Sequence, residues 1–227
     1  MDEWARLESS SQLTCLPCCG NCMTPQALFR CIDCFAESLF CGECLLLLHH
    51  REPFHHLQVH PSSSVSRIQH NSDLFQRWTG THFVRTTLKD LGAIFHLGHN
   101  HGSSCAVPSS PISLTVFDVT GVHTLTITYC ECKPNISATP PRVQLLRARW
   151  FPATWQRPTT AFTFRFLNLL HKLQSTCKVN LYDFHGAMTA VSDNAGLGKP
   201  LVCTSLITHL RPQLTRAICS SGIMSYL

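Results

Sequence analysis

The stretch from Cys19 to His55 contains four pairs of residues whose side chains bind metal ions. Three pairs are cysteines two residues apart, a spacing that lets both sulfurs reach one tetrahedral ion from a tight turn. The fourth pair is two histidines. The eight residues are Cys19, Cys22, Cys31, Cys34, Cys41, Cys44, His49 and His55. Eight such ligands complete two sites, and their softness indicates zinc.

The gaps between successive cysteine pairs are eight and then six residues. This suits a cross-brace, in which pairs one and three bind one ion and pairs two and four the other. A sequential arrangement also fits the spacing. Because every ligand is a protein group, no position is open for water, and we expect structural sites. Metal binding would supply most of the folding energy, about 10–16 kcal/mol per site, around a small predicted core of Phe29, Phe35, Leu39 and Phe40.

Some ligand positions have neighbours of the same type. Cys15 and Cys18 form a further Cys-x2-Cys that could replace Cys19 and Cys22, but Gly20 inside the second turn favours the latter. The histidine pair also has alternatives directly beside it, at His50 and His56.

A second group of candidate ligands lies further along the chain. Cys105, Cys130 and Cys132 with His99 would form a third zinc site, and His123 is the alternative fourth ligand. Cys130 and Cys132 would point to opposite faces of a strand, so a bulge or a strand end is needed for both to reach one ion. The alternative is that these cysteines are core residues. We interpret the isolated cysteines as ordinary thiols: Cys177, Cys203 and Cys219.

Composition limits the class of protein. The chain has 227 residues, 44% of them hydrophobic, and only 14% charged, against about 25% for a typical soluble domain. We therefore expect a part of a larger assembly. The net charge of +5 permits nucleic-acid binding without arguing for it alone. The sequence shows neither a signal peptide nor an apolar run of about 18 residues. We therefore expect an intracellular chain without a membrane span, in which paired cysteines favour metal over disulfides.

The pattern beyond the first cluster predicts an α+β unit. Leu114–Val119 and Val122–Tyr129 flank Thr120-Gly121 as a hairpin. Short helices are predicted over Leu45–Leu48 and Thr86–Asp90, with strands at Ala93–Leu97 and Val143–Phe151. Two helices end the unit, over about 159–174 and after the capping residue Asn180, with Leu181, Phe184, Met188 and Val191 on one face.

Two resemblances follow from these motifs. The first cluster resembles a B-box zinc finger, whose cysteine and histidine pairs end in two histidines. The longer order of motifs resembles the CxC type 2-like cysteine-cluster domain associated with KDZ (Kyakuja-Dileera-Zisupton) transposases of fungi. The motifs are His49-x5-His55, Trp78-Thr-Gly80, Leu88-Lys-Asp-Leu-Gly92, Leu97-Gly-His99, Cys105, Gly121-Val-His123, Cys130-x-Cys132 and Gln144-Leu-Leu-Arg-Ala-Arg-Trp-Phe-Pro-Ala-Thr154.

Together these considerations predict a small two-zinc cross-brace, B-box-like finger, then a small hairpin and sheet unit with two C-terminal helices. The predicted domains are a disordered N-terminus (1–14), the B-box-like module (15–58), a linker (59–73), the cysteine-cluster α+β domain (74–194) and an atypical tail (195–227).

The family resemblance implies a nuclear accessory region preceding a catalytic domain that uses acidic residues and divalent metal. Residues after Asn194 contain no Asp or Glu, so we expect a truncated, non-catalytic chain without a small-molecule substrate.

Arg142, Arg147 and Arg149 are the candidate DNA contacts, and further basic and aromatic residues surround them: Arg157, Arg165, Trp150, Phe151 and Trp155. Alternatively the aromatics are core and the arginines a solvated edge. The alternative function is a module for binding a protein partner or for self-association.

Overall fold

The computed structural model of the protein describes six segments of the chain. The described residues form an α+β structure with four helices and two sheets. Contacts divide the chain into two units, Met1–Phe95 and His96–Leu227. The finer predicted domain boundaries stay predictions, and the predicted N-terminal segment (1–14), most of the linker and the tail lie outside the described residues, as do Cys15, Cys203 and Cys219. The described segments are 18–25, 27–35, 38–59, 84–99, 105–132 and 139–192.

The first unit contains a three-stranded antiparallel sheet and one short helix. The strands are β1 (Phe29–Cys31), β2 (Leu57–Val59) and β3 (Val84–Thr86), in that order across the sheet. Helix α1 (Gly42–Leu48) contains the predicted helical run of four leucines. Of these, Leu45 is fully buried against the sheet in a small cluster whose other buried members are Leu28, Phe29, Cys31, Leu57, Val59 and Leu88.

Two expectations for this unit are wrong. Phe35 does not belong to the core, because its side chain is fully exposed. Residues after Thr86 form a turn instead of a helix: the Thr87 hydroxyl donates to the Asp90 carboxylate at 2.6 Å and accepts from the Asp90 amide at 3.1 Å. The Thr87 amide also donates to that carboxylate at 3.1 Å, which completes a capping box, a motif that can start a helix. The chain nevertheless leaves the helical path after this one turn. The turn ends at Gly92, whose φ of +82° favours glycine.

The second unit is built on a sheet whose centre is the predicted hairpin. Strands β5 (Ile112–Asp118) and β6 (Gly121–Thr128) pair antiparallel around Val119 and Thr120, which confirms that prediction. Strand β8 (Thr160–Thr163) runs parallel to β5 and antiparallel to β7 (Trp150–Pro152). The order of strands across the sheet is β4-β6-β5-β8-β7, where β4 (Ile94–His96) lies in the predicted strand at 93–97.

The predicted strand at Val143–Phe151 is wrong for most of its length. Residues Pro141–Arg147 form helix α2, and only the end of the predicted strand becomes β7. A proline at the first helical position favours this start because its fixed φ suits a helix and its missing amide hydrogen would be unpaired there. The helix ends before Arg149, which has a left-handed φ of +60°.

The predicted helix over 159–174 begins later than expected. Thr160–Thr163 is a strand, and helix α3 runs over Phe164–Cys177. Thr163 caps it, since its hydroxyl accepts from the Phe166 amide at 3.2 Å. Helix α4 (Leu181–Ser192) is confirmed, with Asn180 accepting from the Asp183 amide at 2.8 Å.

The core of the second unit lies between the sheet and helices α3 and α4. Phe117 stacks on Phe162 with ring centroids 5.3 Å apart, and Leu170 is fully buried. From α4, Phe184 and Met188 join this cluster. Val191, which we expected on the same face, is exposed. This unit therefore has an aromatic core independent of any metal ligand.

Asp118 ties the end of β5 to the start of α3. It is fully buried, and its two oxygens accept from the Arg165 guanidinium at 2.6 and 2.7 Å. The hydroxyls of Thr163 and Thr120 donate to it at 2.6 and 2.9 Å. Burial alone would raise the pKa of Asp118, but these donors and the Arg165 charge hold it below its usual value.

Candidate metal centres

The first group of ligands brings together the first and third cysteine pairs. The sulfurs of Cys19, Cys22, Cys41 and Cys44 lie within 4.8 Å of one another. Cys22 and Cys41 are 3.8 Å apart. A tetrahedral ion with metal–sulfur bonds of about 2.3 Å separates its sulfurs by roughly 3.8 Å. The geometry of the group is thus that of a four-thiolate metal site.

A tight turn places the first pair. The Cys19 amide donates to the Thr24 carbonyl at 2.8 Å, and the Gly20 amide donates to the Leu39 carbonyl at 2.9 Å. A Cβ at Gly20 would lie 2.9 Å from the Ser38 Cβ, so the turn leaves no room for a side chain. Cys18 is exposed and lies outside the group.

The second group brings together the second cysteine pair and the histidine pair. The ligand atoms of Cys31, Cys34, His49 and His55 lie within 4.8 Å of one another. His55 Nδ1 lies 3.4 Å from both sulfurs, and His49 Nε2 lies 3.4 Å from the Cys34 sulfur. The group can therefore offer two thiolates and two imidazoles to one ion.

Hydrogen bonds select the ring nitrogen that each histidine offers. His49 Nδ1 donates to the Leu45 carbonyl at 2.9 Å, which leaves Nε2 free to bind metal. His55 turns Nδ1 to the thiols while its Nε2 lies 3.6 Å from the Glu52 carboxylate. Contacts of this kind orient metal-binding histidines.

The neighbouring histidines are engaged elsewhere. His50 Nδ1 donates to the Leu47 carbonyl at 2.7 Å, and His56 Nδ1 donates to the Asp33 carboxylate at 2.9 Å. Neither belongs to a ligand group among the described residues.

Helix α1 serves both groups. Cys41 precedes its first residue and Cys44 lies in its first turn, so both face the first group. His49 follows its last residue and belongs to the second. The helix thus fixes the distance between the two sites.

The thiols of these two groups differ in acidity. Burial would raise the pKa of Cys19, but amide hydrogen bonds from Cys22, Cys41 and Asn21 outweigh it and lower the pKa to about 6. Burial raises the pKa of Cys31 to about 12. Burial also lowers the pKa of His49, which keeps the imidazole neutral as a ligand must be. Metal binding to Cys31 would therefore release a proton at neutral pH.

The third group lies in the second unit. Ligand atoms of His99, Cys105, Cys130 and Cys132 lie within 4.8 Å of one another. His99 Nε2 is 3.1 Å from the Cys130 sulfur, and the sulfurs of Cys105 and Cys132 are 3.6 Å apart. His123, the alternative ligand, lies outside the group, and its Nε2 is 2.9 Å from the Thr120 hydroxyl.

The strand end resolves the alternation problem of Cys130 and Cys132. Strand β6 stops at Thr128, and Cys130 makes only an isolated bridge to Pro108. Both sulfurs can then face one point. Burial raises the pKa of Cys130 to about 11, whereas hydrogen bonds from His99 and Cys105 lower that of Cys132 to about 7.

The donor sets fit a soft or borderline metal ion. The three groups contain thiols and imidazoles without a carboxylate, which suits zinc or iron better than magnesium or calcium. Every cysteine in the described segments is a free thiol. The sulfur separations of 3.8 and 3.6 Å far exceed a disulfide bond of about 2.05 Å. The chain thus has three groups positioned to hold metal ions.

The predicted basic residues divide into two kinds. Arg142, Arg147, Arg149 and Arg157 are exposed, and within the described segments their side chains make no hydrogen bond or ion pair. Arg165, in contrast, is paired with Asp118. The aromatic residues divide likewise: Trp150 and Phe151 are buried, while Trp155 is 49% exposed and meets Phe151 edge to face.

Sequence reasoning missed two polar residues beside the ligands. Asn21 Nδ2 donates to the Cys44 sulfur at 3.2 Å. Gln144 is buried and bonded to the backbone of Cys130. Asn21 could have been noticed because it lies between Cys19 and Cys22. Gln144 gave a weaker signal, a polar residue within an apolar stretch that we had predicted as a strand.

The third ligand group lies in a region of the chain that matches a known family. Residues 88–196, slightly less than half of the chain, match the family model described as a CxC2 like cysteine cluster associated with KDZ transposases. This confirms the resemblance to that cysteine-cluster family, while the B-box resemblance of the first cluster stays a prediction. The first two ligand groups precede the matched region. No curated protein and no solved structure matched the chain. Within the described segments, no helix has the length and apolarity that crossing a bilayer requires.

Proposed function

With residues 88–196 matching the cysteine cluster associated with KDZ transposases, we propose that this chain is a zinc-stabilised, non-catalytic accessory region that helps a transposase bind DNA in the nucleus. The observation that carries the proposal is the set of four exposed arginines on and after α2, inside the matched region, whose side chains have no partner among the described residues. Their neighbour Arg165 is paired with Asp118, whereas these four can meet a phosphate backbone.

Zinc is the metal we propose for all three groups. Four-thiolate, Cys2His2 and Cys3His sets are the usual ligand sets of structural zinc, and each fills all four tetrahedral positions. No position then remains for a substrate or a reactive water, which supports a non-catalytic role. For the first two groups we propose a B-box-like cross-brace, supported by the alternation of the pairs between them.

DNA binding would depend mainly on phosphate contacts. Each arginine that neutralises a phosphate releases a counterion, so affinity falls steeply with salt. The half-exposed Trp155 could stack on a base where the duplex is open. Because phosphate contacts carry no sequence information, we expect weak sequence preference.

The test is fluorescence anisotropy of the zinc-loaded full chain with labelled duplex DNA, over a range of salt concentrations. The double variant Arg147→Ala/Arg149→Ala should weaken binding and reduce the slope of log K against log salt by about 2, roughly 0.9 per lost phosphate contact. A matched control, Lys172→Ala/Lys178→Ala, removes the same charge from exposed positions on and after α3. The proposal fails if wild type does not bind at low salt, or if the two double variants behave alike.

A second candidate function is protein interaction through the first unit. Around the second ligand group the chain exposes large apolar side chains, at Ile32, Phe35, Leu47 and Leu48. Leu47→Asp should then abolish self-association, measured by sedimentation, while Arg147→Ala/Arg149→Ala should not. A monomeric wild type that captures no transposase in pulldown would count against this candidate.

A further inference from the structure

Gln144 is a buried polar side chain in the middle of helix α2, with 1% of its surface exposed. Its Oε1 accepts from the Cys130 amide at 2.8 Å, and its Nε2 donates to the Cys130 carbonyl at 2.8 Å. The second hydrogen of Nε2 goes to the Thr139 carbonyl at 2.7 Å. One side chain thus holds both polar backbone groups of a candidate ligand and satisfies its own donors.

This contact matters because Gln144 is the partner of both polar backbone groups of Cys130 itself. The residues on either side of Cys130 are bonded to the segment 107–109, which continues the pairing past the end of β6. The orientation of the Cys130 backbone sets the direction of its Cβ–Sγ bond, and the sulfur lies 3.1 Å from His99 Nε2. Gln144 therefore fixes the one peptide position from which this sulfur reaches the group.

The segment that leads to His99 packs against the same contact. Gly98 has a φ of +92°, and a Cβ there would lie 2.6 Å from the Cys130 Cβ and 2.6 Å from Gln144 Oε1. His99, Cys130 and α2 therefore meet at one point, with Gln144 between the ligand backbone and the helix.

We infer that Gln144 is the positioning residue of the third metal site and couples metal binding there to the order of helix α2. The helix carries Arg142 and Arg147, so the site would also hold these arginines in place for DNA; that last step rests on the proposed function. A residue that orients a metal ligand in this way typically contributes about 10–100-fold to metal affinity.

The test compares full-length Gln144→Met, which keeps the length and removes the amide, with wild type. Metal stoichiometry comes from native mass spectrometry, and affinity from chelator competition with zinc and from the thiolate absorption of the cobalt-loaded protein. We expect the third ion to be held about 10–100-fold more weakly while two ions are retained. An unchanged affinity for the third ion would overturn the inference.

Two controls separate positioning from stability. Gln58→Met removes a side-chain amide from β2, where it accepts from Arg30, and should leave the third site intact. Leu145→Ala removes a fully buried neighbour on α2 and leaves the Gln144 side chain unchanged. The inference expects Leu145→Ala to weaken the third ion in the wild type, through α2, and not further in Gln144→Met. Equal weakening in both backgrounds would mean that Gln144 does not link the helix to the site, and the inference would be wrong. If Gln144→Met does not fold, Gln144→Asn, which keeps a neutral amide but is one methylene too short to bond Cys130 in the same way, is tested by the same measurements.

The coupling between metal binding at the third site and the order of α2 is measured separately, by amide hydrogen exchange over residues 141–147. In wild type, removing zinc should reduce protection of this segment, whereas in Gln144→Met protection should be low with or without zinc. Equal protection of wild type in both states would overturn the coupling. Wild type that binds three ions but no DNA would refute the proposed function and leave the metal result standing.

Discussion

The two units use metal ligands in different ways. In the first, eight candidate ligands lie within a stretch of 37 residues between Cys19 and His55, and the strands have only three residues each. The buried cluster there includes ligands such as Cys31. In the second, the described residues contain one group of four, two of which follow the end of β6, and the aromatic core around Phe117 and Phe162 contains none of its members. We therefore expect the first unit to depend on metal for its fold, and the second to use metal only to fix a local arrangement.

The difference follows from how much apolar surface each segment can bury. A module of about 40 residues rarely encloses a sufficient core without metal or disulfides. The second unit covers its sheet with α3 and α4 and buries several phenylalanines.

Metal removal should have the largest effect. Chelation should unfold residues 27–59, since structural zinc contributes about 10–16 kcal/mol per site, while β5, β6, α3 and α4 keep their structure. Hydrogen exchange followed by peptide mass spectrometry would show protection lost throughout residues 27–59, and in the second unit only around the third ligand group and α2. Protection of α1 that survives complete chelation would refute the contrast.

The core of the second unit should respond to a cavity. Leu170→Ala removes a fully buried side chain and should lower the free energy of unfolding by about 2–5 kcal/mol. Because Leu170 is remote from the ligand groups, metal stoichiometry should not change. Chemical denaturation with native mass spectrometry would test both statements, and loss of an ion in this variant would contradict them.

The ion pair between Asp118 and Arg165 should show a defined pH dependence. Arg165→Met leaves a buried carboxylate without its charged partner and should lower the free energy of unfolding by about 2–3 kcal/mol. The loss is smaller than the roughly 3–5 kcal/mol typical of fully buried ion pairs, because Arg165 is half exposed. The folded-state pKa of Asp118 is lowered, so the pair stabilises the protein above the unfolded pKa of about 3.9.

That stabilisation is lost as the pH falls through the folded pKa, so wild type and variant should converge in acid. Chemical denaturation of both proteins between pH 6 and pH 3 measures the difference between their free energies of unfolding. Acid also releases metal, but it does so in both proteins alike. A gap that widens in acid would show that the pKa shift has the opposite sign.

The smallest effect is expected at Phe35. Since this side chain is fully exposed, Phe35→Ser should change stability by no more than about 0.5 kcal/mol. The matched change Phe29→Ser, at a buried position of the same unit, should be severe. Similar melting temperatures for the two variants would mean that the contrast between exposed and buried aromatics is wrong.

Local signals in the sequence predicted much of this structure. Cys-x2-Cys spacing reports on a single turn, and the hairpin of β5 and β6 is also a local feature, so both were accessible. Phe35 could not be excluded from the core, because its exposure depends on where distant segments pack. Val143 and its neighbours have strand-like composition, and the start of α2 at Pro141 outweighed it. Gln144 is hydrogen-bonded to Cys130, fourteen residues away, and a contact between residues that far apart produces no periodic pattern in the sequence.

Helix α1 also constrains how the chain can vary in length. Each residue added to an α-helix rotates its end by about 100° and advances it by about 1.5 Å. An insertion between Cys44 and His49 would therefore turn the imidazole away from Cys31 and Cys34 while the first group stayed in place. The seven-residue helix acts as a ruler between two sites, and relatives of this module should vary in length elsewhere and conserve the count of residues across α1.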